Sequence, residues 1–424
     1  MRPGATFAIA AALAAAAGPG CGTVPPAAAA GVPLAHVEAD PLLLLAERVE
    51  GGTRITEIDA GEMLARARAL QEAGSYRAAI AEYDAVVRRF AGTSAAAEAM
   101  YRRGVCFERL DEPVAALAAF RERLAAAGDG AVAEAEIPAL IHAALLEEGL
   151  GRWTEAEASY RRLIDSPALA PGDRRAARMR LAAVLLAGGD VEAARPMMDE
   201  VVAESDMEAG ESVHPAPAAE GRYRLGSLAA DAMRAAAIDS ADTRTAREQL
   251  VEKAARFSDA FKHLAAAIGS GSPYWAVAAG EAIGRIYLDV HDSLMEAPLP
   301  DGVAGDSDAE EAYLAFLRAR TRVLLDNAIV AWEENLLRAE RTGVRSPAVE
   351  ATADGIDLVR RLLDERDAAR TPLDDEAERL LERMDADGGL FSAPARPPAG
   401  DAERRKRAPP TGARKSLDKH MDGL

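Results

Sequence analysis

Apolar residues recur along most of the chain with the period of an α-helix. Within the stretch 60–93, Ala79, Ile80, Tyr83 and Val86 are spaced so that they share one face of a helix. Long runs of valine, isoleucine and threonine with a period of two do not occur in the sequence, which argues against a sheet-rich fold. The pattern therefore predicts an all-α protein.

The helical pattern recurs in four consecutive units over 60–208, with starts at 60, 97, 137 and 175. Gly74, Gly151 and Gly189 fall between the two helices of their units, where a turn can require positive φ. One pair of helices cannot bury its apolar face alone, so the units must stack on one another.

The four units resemble the tetratricopeptide-repeat (TPR) family. The positions that carry the resemblance are Gly74, Tyr76, Ala79, Ile80, Tyr83 and Val86; Gly104, Phe107, Ala116, Leu117 and Phe120; Gly151, Trp153, Ala156, Tyr160 and Leu163; and Leu181, Ala182, Gly189, Val191, Ala194 and Met198. The resemblance implies an all-α TPR α-solenoid, which is a right-handed superhelix of helical hairpins. In such hairpins, small residues such as Gly104 let two helices cross closely.

After an acidic, proline-containing segment at 204–217, the repeats become irregular. We predict two insertion-bearing TPR-like units with long helices over 219–345, and C-terminal capping helices within 346–388. The predicted helices span 219–237, 243–268, 273–296, 308–341, 347–367 and 372–386.

A second resemblance concerns most of 220–345. The segment SPYWAVAAGEAIGRIYLDVHDSLMEAPLPDG, followed by NAIVAWEENLLRAERTGV, resembles large TPR lipoproteins of deltaproteobacteria. Some of those proteins belong to gliding-motility or envelope-spanning machines. The resemblance implies a place in the cell envelope.

The N-terminal segment 1–21 has the order of an export signal peptide. Arg2 supplies a positive start, an apolar run covers 7–17, and small residues follow. The segment ends in GPGC, which resembles a bacterial lipobox, although Gly18 stands where leucine is usual. We expect lipidation of Cys21 and an outer-membrane lipoprotein on the periplasmic side. Cleavage in the alanine-rich stretch would instead give a soluble periplasmic protein.

Two flanking segments are predicted to lie outside the repeats. Residues 22–58 read as a flexible tether with a short helix, since alanine, proline and glycine dominate the first half. Residues 392–424 read as a disordered basic tail containing ERRKR. This tail could touch anionic lipid, peptidoglycan or an acidic partner, or it could be an inert solvated tail.

The charge and the motif content limit the possible functions. A formal net charge of -19 argues against nucleic-acid binding, which needs clustered lysine and arginine. No metal-ligand spacing, phosphate-binding glycine loop or nucleophile motif occurs in the sequence. We therefore predict a protein that is not an enzyme and that uses no cofactor, metal or small-molecule substrate. Cys106, Trp153, Trp275 and Trp332 are interpreted as core residues rather than as reactive or ligand-binding groups.

The TPR resemblance also implies a partner-binding groove, because the first helices of TPR arrays line a concave face that binds peptides or helices. The family's groove offsets correspond here to Arg68, Gln71, Glu72, Glu98, Tyr101, Val105, Glu108, Arg109, Ile141, Leu145, Glu148, Met179, Ala183 and Leu186. Such a surface would be mixed at one end and apolar at the other. It would favour an amphipathic helix or an extended segment of a partner.

The sequence thus predicts a non-enzymatic protein–protein interaction scaffold of the bacterial cell envelope, within a periplasmic or outer-membrane machine. Its partners would be other envelope proteins, with the membrane reached through Cys21. Three alternatives stay open. They are an outer-membrane protein assembly factor or chaperone, an enzyme with an undetected site in 219–386, and a cytoplasmic regulator.

Overall fold

A computed structural model describes residues 42–49, 52–128, 130, 132–207 and 215–384. The chain divides after Asp59 into two compact units. The described part of the first unit is a β-hairpin, and that of the second unit is helical. Cys21 and the predicted basic tail lie outside the described residues, so the predictions for them remain predictions.

The first unit contains two antiparallel strands, β1 (Leu42–Val49) and β2 (Gly52–Asp59). The described residues of 22–58 therefore form strands rather than the predicted short helix, and the rest of that range lies outside the described residues. The run of leucines in β1 favours a helix by propensity. The four β-branched residues of β2, however, favour a strand, and pairing with β2 satisfies the backbone groups of β1.

The second unit is a succession of paired α-helices, as the helical period predicts. The first four pairs are α1 (Ala60–Glu72) with α2 (Tyr76–Arg89), α3 (Ser94–Arg109) with α4 (Pro113–Ala127), α5 (Ile137–Gly149) with α6 (Trp153–Asp165), and α7 (Pro171–Ala187) with α8 (Val191–Met207). A short 3₁₀ helix (Glu134–Glu136) precedes α5. We call α1, α3, α5 and α7 the first helices of their hairpins.

The remaining helices are longer. They are α9 (Ala216–Ala235) with α10 (Thr243–Gly269), α11 (Pro273–Met295) with α12 (Ser307–Thr342), and then α13 (Pro347–Ala368) and α14 (Pro372–Met384). Their bounds agree with the predicted helices to within a few residues, and α9 and α11 are the first helices of their hairpins. Proline at the first position of α11, α13 and α14 marks these starts, because it lacks an N–H that the first turn would leave unpaired.

Close helix crossings depend on glycine, as the TPR pattern predicts. A Cβ built on Gly104 of α3 would lie 2.6 Å from the ring of Phe120 on α4, and one built on Gly226 would lie 2.8 Å from Leu264. In the turn between α1 and α2, Gly74 adopts φ 75°, a left-handed conformation that side chains disfavour. The sequence places glycine where backbone approach or turn geometry requires it.

Trp332 of α12 fills the space where α11, α12 and α13 meet. A Cβ on Gly284 of α11 would lie 2.2 Å from its indole, and one on Gly355 of α13 would lie 2.7 Å away. Trp332 is 1% exposed, and its Nε1 donates to the carbonyl of Glu281 at 2.9 Å. Two glycines thus make room for one tryptophan that joins three helices.

Two large clusters of buried apolar residues form the core of the helical unit. One runs from Ala116 to Leu225, and the other from Ala229 to Val359. Leu225 and Ala229 are one helical turn apart on α9. This helix therefore belongs to both clusters and joins the regular hairpins to the irregular ones.

The interpretation of the cysteine and the tryptophans as core residues holds only in part. Cys106 and Trp332 are buried, as expected. Trp153, at the start of α6, is 40% exposed, and Trp275 is only half-buried, so for these two the interpretation was wrong. Both rings stand at the first turn of a helix, where fewer neighbours enclose a side chain.

Candidate partner-binding surface

Polar and aromatic side chains follow the first helices from one hairpin to the next, and we call this surface the first-helix face. At its start, Glu98 of α3 accepts hydrogen bonds from Arg68 of α1 at 2.5 Å and from Arg102 at 2.6 Å. Burial raises the pKa of Glu98, but these two guanidinium groups outweigh burial and hold the pKa below its usual range. The two helices are thus tied by a shared carboxylate that stays ionised.

The next contact joins α3 to α5 through His142. Its Nδ1 lies 2.9 Å from Oε1 of Glu108, and its Nε2 lies 3.4 Å from the hydroxyl of Tyr101. The imidazole stacks on Phe120, with ring centroids 4.8 Å apart. Burial raises the pKa of Tyr101, so its hydroxyl stays protonated at neutral pH.

Glu148 connects α5 to α7. It accepts hydrogen bonds from Arg180 at 3.2 Å and from the hydroxyl of Tyr160 at 2.8 Å. Burial, reinforced by the charge of Glu148, raises the pKa of Tyr160 well above its ordinary value. The carboxylate of Glu220 on α9 helps to raise the pKa of Arg180, so the face continues into the irregular hairpins.

An aromatic group completes the face on α9 and α11. Trp275 packs against Tyr223, with centroids 5.3 Å apart, and against Tyr274 at 5.0 Å in an edge-on arrangement. The guanidinium of Arg224, which is bonded to Glu220, lies 5.8 Å from the Trp275 ring centre. Tyr274 is 52% exposed, which leaves one aromatic ring open to a partner.

This arrangement suits recognition better than bond-making chemistry. Most of its charges are already neutralised by an opposite charge within hydrogen-bonding distance, and its rings offer stacking surfaces. Burial raises the pKa of the Cys106 thiol to about 11, so the thiolate needed for nucleophilic attack is scarce at neutral pH. Within the described ranges, no group of three potential ligands could hold a metal ion.

The structure separates the predicted groove residues into two sets. Ile141, Leu145, Met179 and Ala183 are buried, so the prediction that they form an apolar end of the groove was wrong. Ile141, Leu145 and Met179 belong to the apolar core of the regular hairpins, where stacking requires apolar surface. The accessible or partly accessible ones are Arg68, Gln71, Glu72, Glu98, Tyr101, Val105, Glu108, Arg109, Glu148 and Leu186.

Several members of the face escaped the sequence prediction. The accessible or partly accessible ones are Arg102, Arg180, Tyr223, Arg224, Tyr274 and Trp275. His142, Tyr160 and Glu220 bond to residues of the face but are themselves buried. The groove offsets were applied only to the four regular units, although α9 and α11 also begin hairpins. Extending the offsets into the irregular region would have pointed to Glu220 and Tyr223, which stand six and three residues before Gly226 as Glu98 and Tyr101 do before Gly104.

None of the helices in the described part of the chain combines the length and the apolarity that a bilayer crossing requires.

Comparisons with solved structures find other helical-repeat proteins. A TPR protein from Parabacteroides merdae is 12% identical, with a TM-score of 0.37, over 71% of this chain and 98% of that one. TPR-like repeats of a putative kinesin light chain from Podospora anserina are 16% identical, with a TM-score of 0.33, over 46% of this chain and 93% of that one. A TPR protein from Bacteroides fragilis is 10% identical, with a TM-score of 0.28, over 63% of this chain and 98% of that one. No curated protein matches the chain in sequence.

The stacked hairpins of the second unit define a helical-repeat protein. The tetratricopeptide-repeat family model matches residues 64–132 and 142–209, which cover most of α1 to α8. These stretches match the TPR family, and the described helices of the second unit stack as the all-α, TPR-like solenoid that the repeats predict. TPR proteins generally act as scaffolds for protein–protein interaction and are typically not enzymes.

Proposed function

We propose that this protein is a non-enzymatic interaction scaffold of the bacterial cell envelope, within a periplasmic or outer-membrane machine. The first-helix face is the observation that supports the interaction role, because its partly exposed charges run across successive hairpins and end at an exposed ring, Tyr274. Support for the envelope comes from the sequence alone. It consists of the export-signal order of 1–21 and the likeness of 220–345 to deltaproteobacterial lipoproteins, some of them from gliding-motility machines.

The partner is an envelope protein that presents a helix or an extended segment to the first-helix face. The side chains of Arg68 and Glu98 are 40% and 35% exposed, and Tyr274 is 52% exposed. Such a surface offers hydrogen bonds at one end and aromatic contact at the other. Because the ion pairs are internally balanced, affinity comes mainly from stacking and hydrogen bonding rather than from net charge.

Tyr274→Ala is expected to lower partner capture at least about tenfold, because exposed aromatic anchors contribute a large share of binding energy. The measurement is quantitative mass spectrometry of proteins that co-purify with the full-length chain from detergent-solubilised native membranes. Trp153→Ala is the matched control, since Trp153 is also an exposed ring but lies on a second helix. Equal capture by wild type and Tyr274→Ala would contradict the role of the first-helix face.

The same purification separates a scaffold from an assembly factor. A machine component co-purifies with its partner in fixed stoichiometry. An assembly factor would instead capture unfolded outer-membrane proteins transiently and in variable amounts.

Cys21→Ala is expected to move the full-length protein from the membrane fraction to the soluble fraction. The substitution removes the predicted acylation site, and stable anchoring needs two or more acyl chains. Fractionation with immunodetection measures the change. Cys106→Ala is the control, because its buried thiol cannot carry an anchor without unfolding. A wild-type protein that is already soluble, and unchanged by Cys21→Ala, would show that the anchor does not exist.

A further inference from the structure

The aromatic group on α9 and α11 has three polar tips that make no hydrogen bond within the described part of the chain. They are the hydroxyls of Tyr223 and Tyr274 and the indole N–H of Trp275. By contrast, the hydroxyl of Tyr160 and the indole N–H of Trp332 both have acceptors, as such groups usually do when their rings are covered. A ligand at the aromatic group can therefore accept hydrogen bonds from these tips.

The rings of Tyr274 and Trp275 form a corner. Their centroids are 5.0 Å apart, and their planes meet at 89°. Tyr223 extends the apolar surface, since its ring lies 5.3 Å from that of Trp275. Tyr274 is exposed, and the other two rings are partly exposed. A rigid apolar ring, such as that of proline, can pack in such a corner while its backbone carbonyl meets the donors.

A segment in the polyproline II (PPII) conformation fits this corner better than a helix or a strand does. PPII makes no internal hydrogen bonds, so its carbonyls are available to the hydroxyls and the indole. An α-helix already uses its carbonyls within itself, and an added strand needs a sheet edge, which two helices do not offer. Because PPII has three residues per turn, prolines three residues apart contact the rings from the same side.

The chain contains such a sequence after α14. The stretch 394–410, which we call the proline segment, has five prolines at Pro394, Pro397, Pro398, Pro409 and Pro410. The first two have the three-residue spacing that PPII recognition uses. The proline segment lies outside the described residues, so its docking is an inference from its sequence and from the site.

The length of the chain after α14 allows the proline segment to reach the aromatic group. The helix α14 is bonded to α12, and Asn335 of α12 donates at 3.0 Å to the carbonyl of Val277, two residues after Trp275. The 36 residues of α12 extend over about 54 Å. Residues 385–409, when extended, span about 83 Å, which exceeds the length of α12.

We propose that the proline segment docks on the aromatic group of α9 and α11 in the PPII conformation, and that it regulates the access of partners to the first-helix face. The regulation rests on the function proposed for that face, whereas the docking itself requires no partner.

Tethering favours this segment over a similar segment of another protein. A flexible linker gives an effective concentration of about 1 mM. With a dissociation constant of about 100 μM, the tethered segment would occupy its site about nine-tenths of the time. The apparent affinity of any competing ligand would then fall about elevenfold.

The test adds a fluorescently labelled peptide of residues 392–412 to the full-length protein and measures the dissociation constant by fluorescence anisotropy. The wild type is expected to bind the peptide weakly, because its own segment occupies the site. A variant of the protein with all five prolines changed to alanine, the five-alanine variant, is expected to bind at least about tenfold more tightly.

A control peptide separates proline recognition from charge attraction. It has alanine in place of the five prolines and keeps the basic run 404–407. It is expected to bind the five-alanine variant at least about tenfold more weakly than the proline peptide does.

Further changes in the five-alanine variant locate the binding. Trp275→Ala is expected to weaken the proline peptide at least about tenfold. Trp153→Ala is the matched control, because this partly exposed ring lies on a second helix, and it should change the affinity less than about twofold. Tyr274→Phe keeps an exposed ring and removes only the hydroxyl, so a loss of about threefold is expected with the fold intact.

Several results would overturn the docking. They are equal affinity of the wild type and the five-alanine variant, equal binding of the two peptides, equal effects of Trp275→Ala and Trp153→Ala, and no effect of Tyr274→Phe. A wild-type dimer in analytical ultracentrifugation that the five-alanine variant dissociates would assign the proline segment to a neighbouring copy, against docking within one chain.

The docking and the scaffold function can fail separately. Capture of partners from native membranes without any of these peptide effects would overturn the docking and leave the scaffold function in place. Peptide binding as expected, with no captured partner for wild type or for the five-alanine variant, would overturn the scaffold function and leave the docking in place.

Discussion

Replacement of Trp332 with alanine is expected to lower the free energy of unfolding by about 3–5 kcal/mol. The indole is buried between Gly284 and Gly355, so its removal leaves a cavity where three helices meet. The substitution also removes the hydrogen bond from Nε1 to the carbonyl of Glu281. Because neither glycine has a side chain that could move into the space, little relaxation is possible.

Denaturant unfolding followed by far-UV circular dichroism measures this change in stability. Trp153→Ala is the control, because Trp153 is 40% exposed and its loss should cost below about 1 kcal/mol. If both variants lost the same stability, the packing assigned to Trp332 between the two glycines would be incorrect.

Alkaline pH is expected to unfold the helical unit between about pH 9 and 12. Burial raises the pKa of Tyr83 and Tyr287 to about 12, and that of Cys106 to about 11. The pKa values of these groups are higher in the folded state than in the unfolded state. Once the pH passes the pKa of the unfolded state, the folded state therefore binds more protons. The stabilisation is complete below those values and is lost as the pH rises through the folded pKa. Each shift is equivalent to about 2–3 kcal/mol at full titration.

Lys253 has the opposite effect on stability at alkaline pH. It is buried, and its ammonium group donates to the carbonyls of Met233 and Ala236 at 3.0 and 2.7 Å. Burial lowers its pKa below 10.5, so the folded state releases this proton first and gains stability as the pH approaches that value. One lysine does not offset three groups with raised pKa values, and net alkaline unfolding is expected.

Tyr287→Phe isolates one contributor to this pH dependence. The variant keeps the ring contact with Phe257, whose centroid is 5.1 Å away, and removes the group that ionises. Its unfolding midpoint in a pH titration should therefore move to higher pH than that of wild type. The exposed Tyr274, changed to phenylalanine, should leave the midpoint in place. A midpoint unaffected by Tyr287→Phe would contradict the assigned role of Tyr287.

The helices of the second unit could be predicted from the sequence because their signals are local. Proline at the starts of α11, α13 and α14 and glycine in the turns depend on backbone geometry alone. Gly104 was also predictable, since a TPR hairpin needs a small residue at its crossing. By contrast, the eight residues of β1 form a strand by pairing with β2, and a run of leucines does not indicate that a pairing strand follows.

The surface was harder to predict than the fold. Groove offsets identify a helix face but not how deeply the next hairpin covers it. Met179 illustrates this, because a Cβ on Gly221 of α9 would lie 3.3 Å from its sulfur atom, and this contact buries it. Glu148 and Tyr101 stay accessible at comparable offsets since long polar side chains can extend to the edge of the contact.

The position of α9 in both apolar clusters has a mechanical consequence. Tension applied to α12 or α13 is transmitted to the regular hairpins mainly through the turn of α9 that separates Leu225 from Ala229. Because α9 is a continuous helix, it would carry such a load as a rigid rod shared by the two clusters.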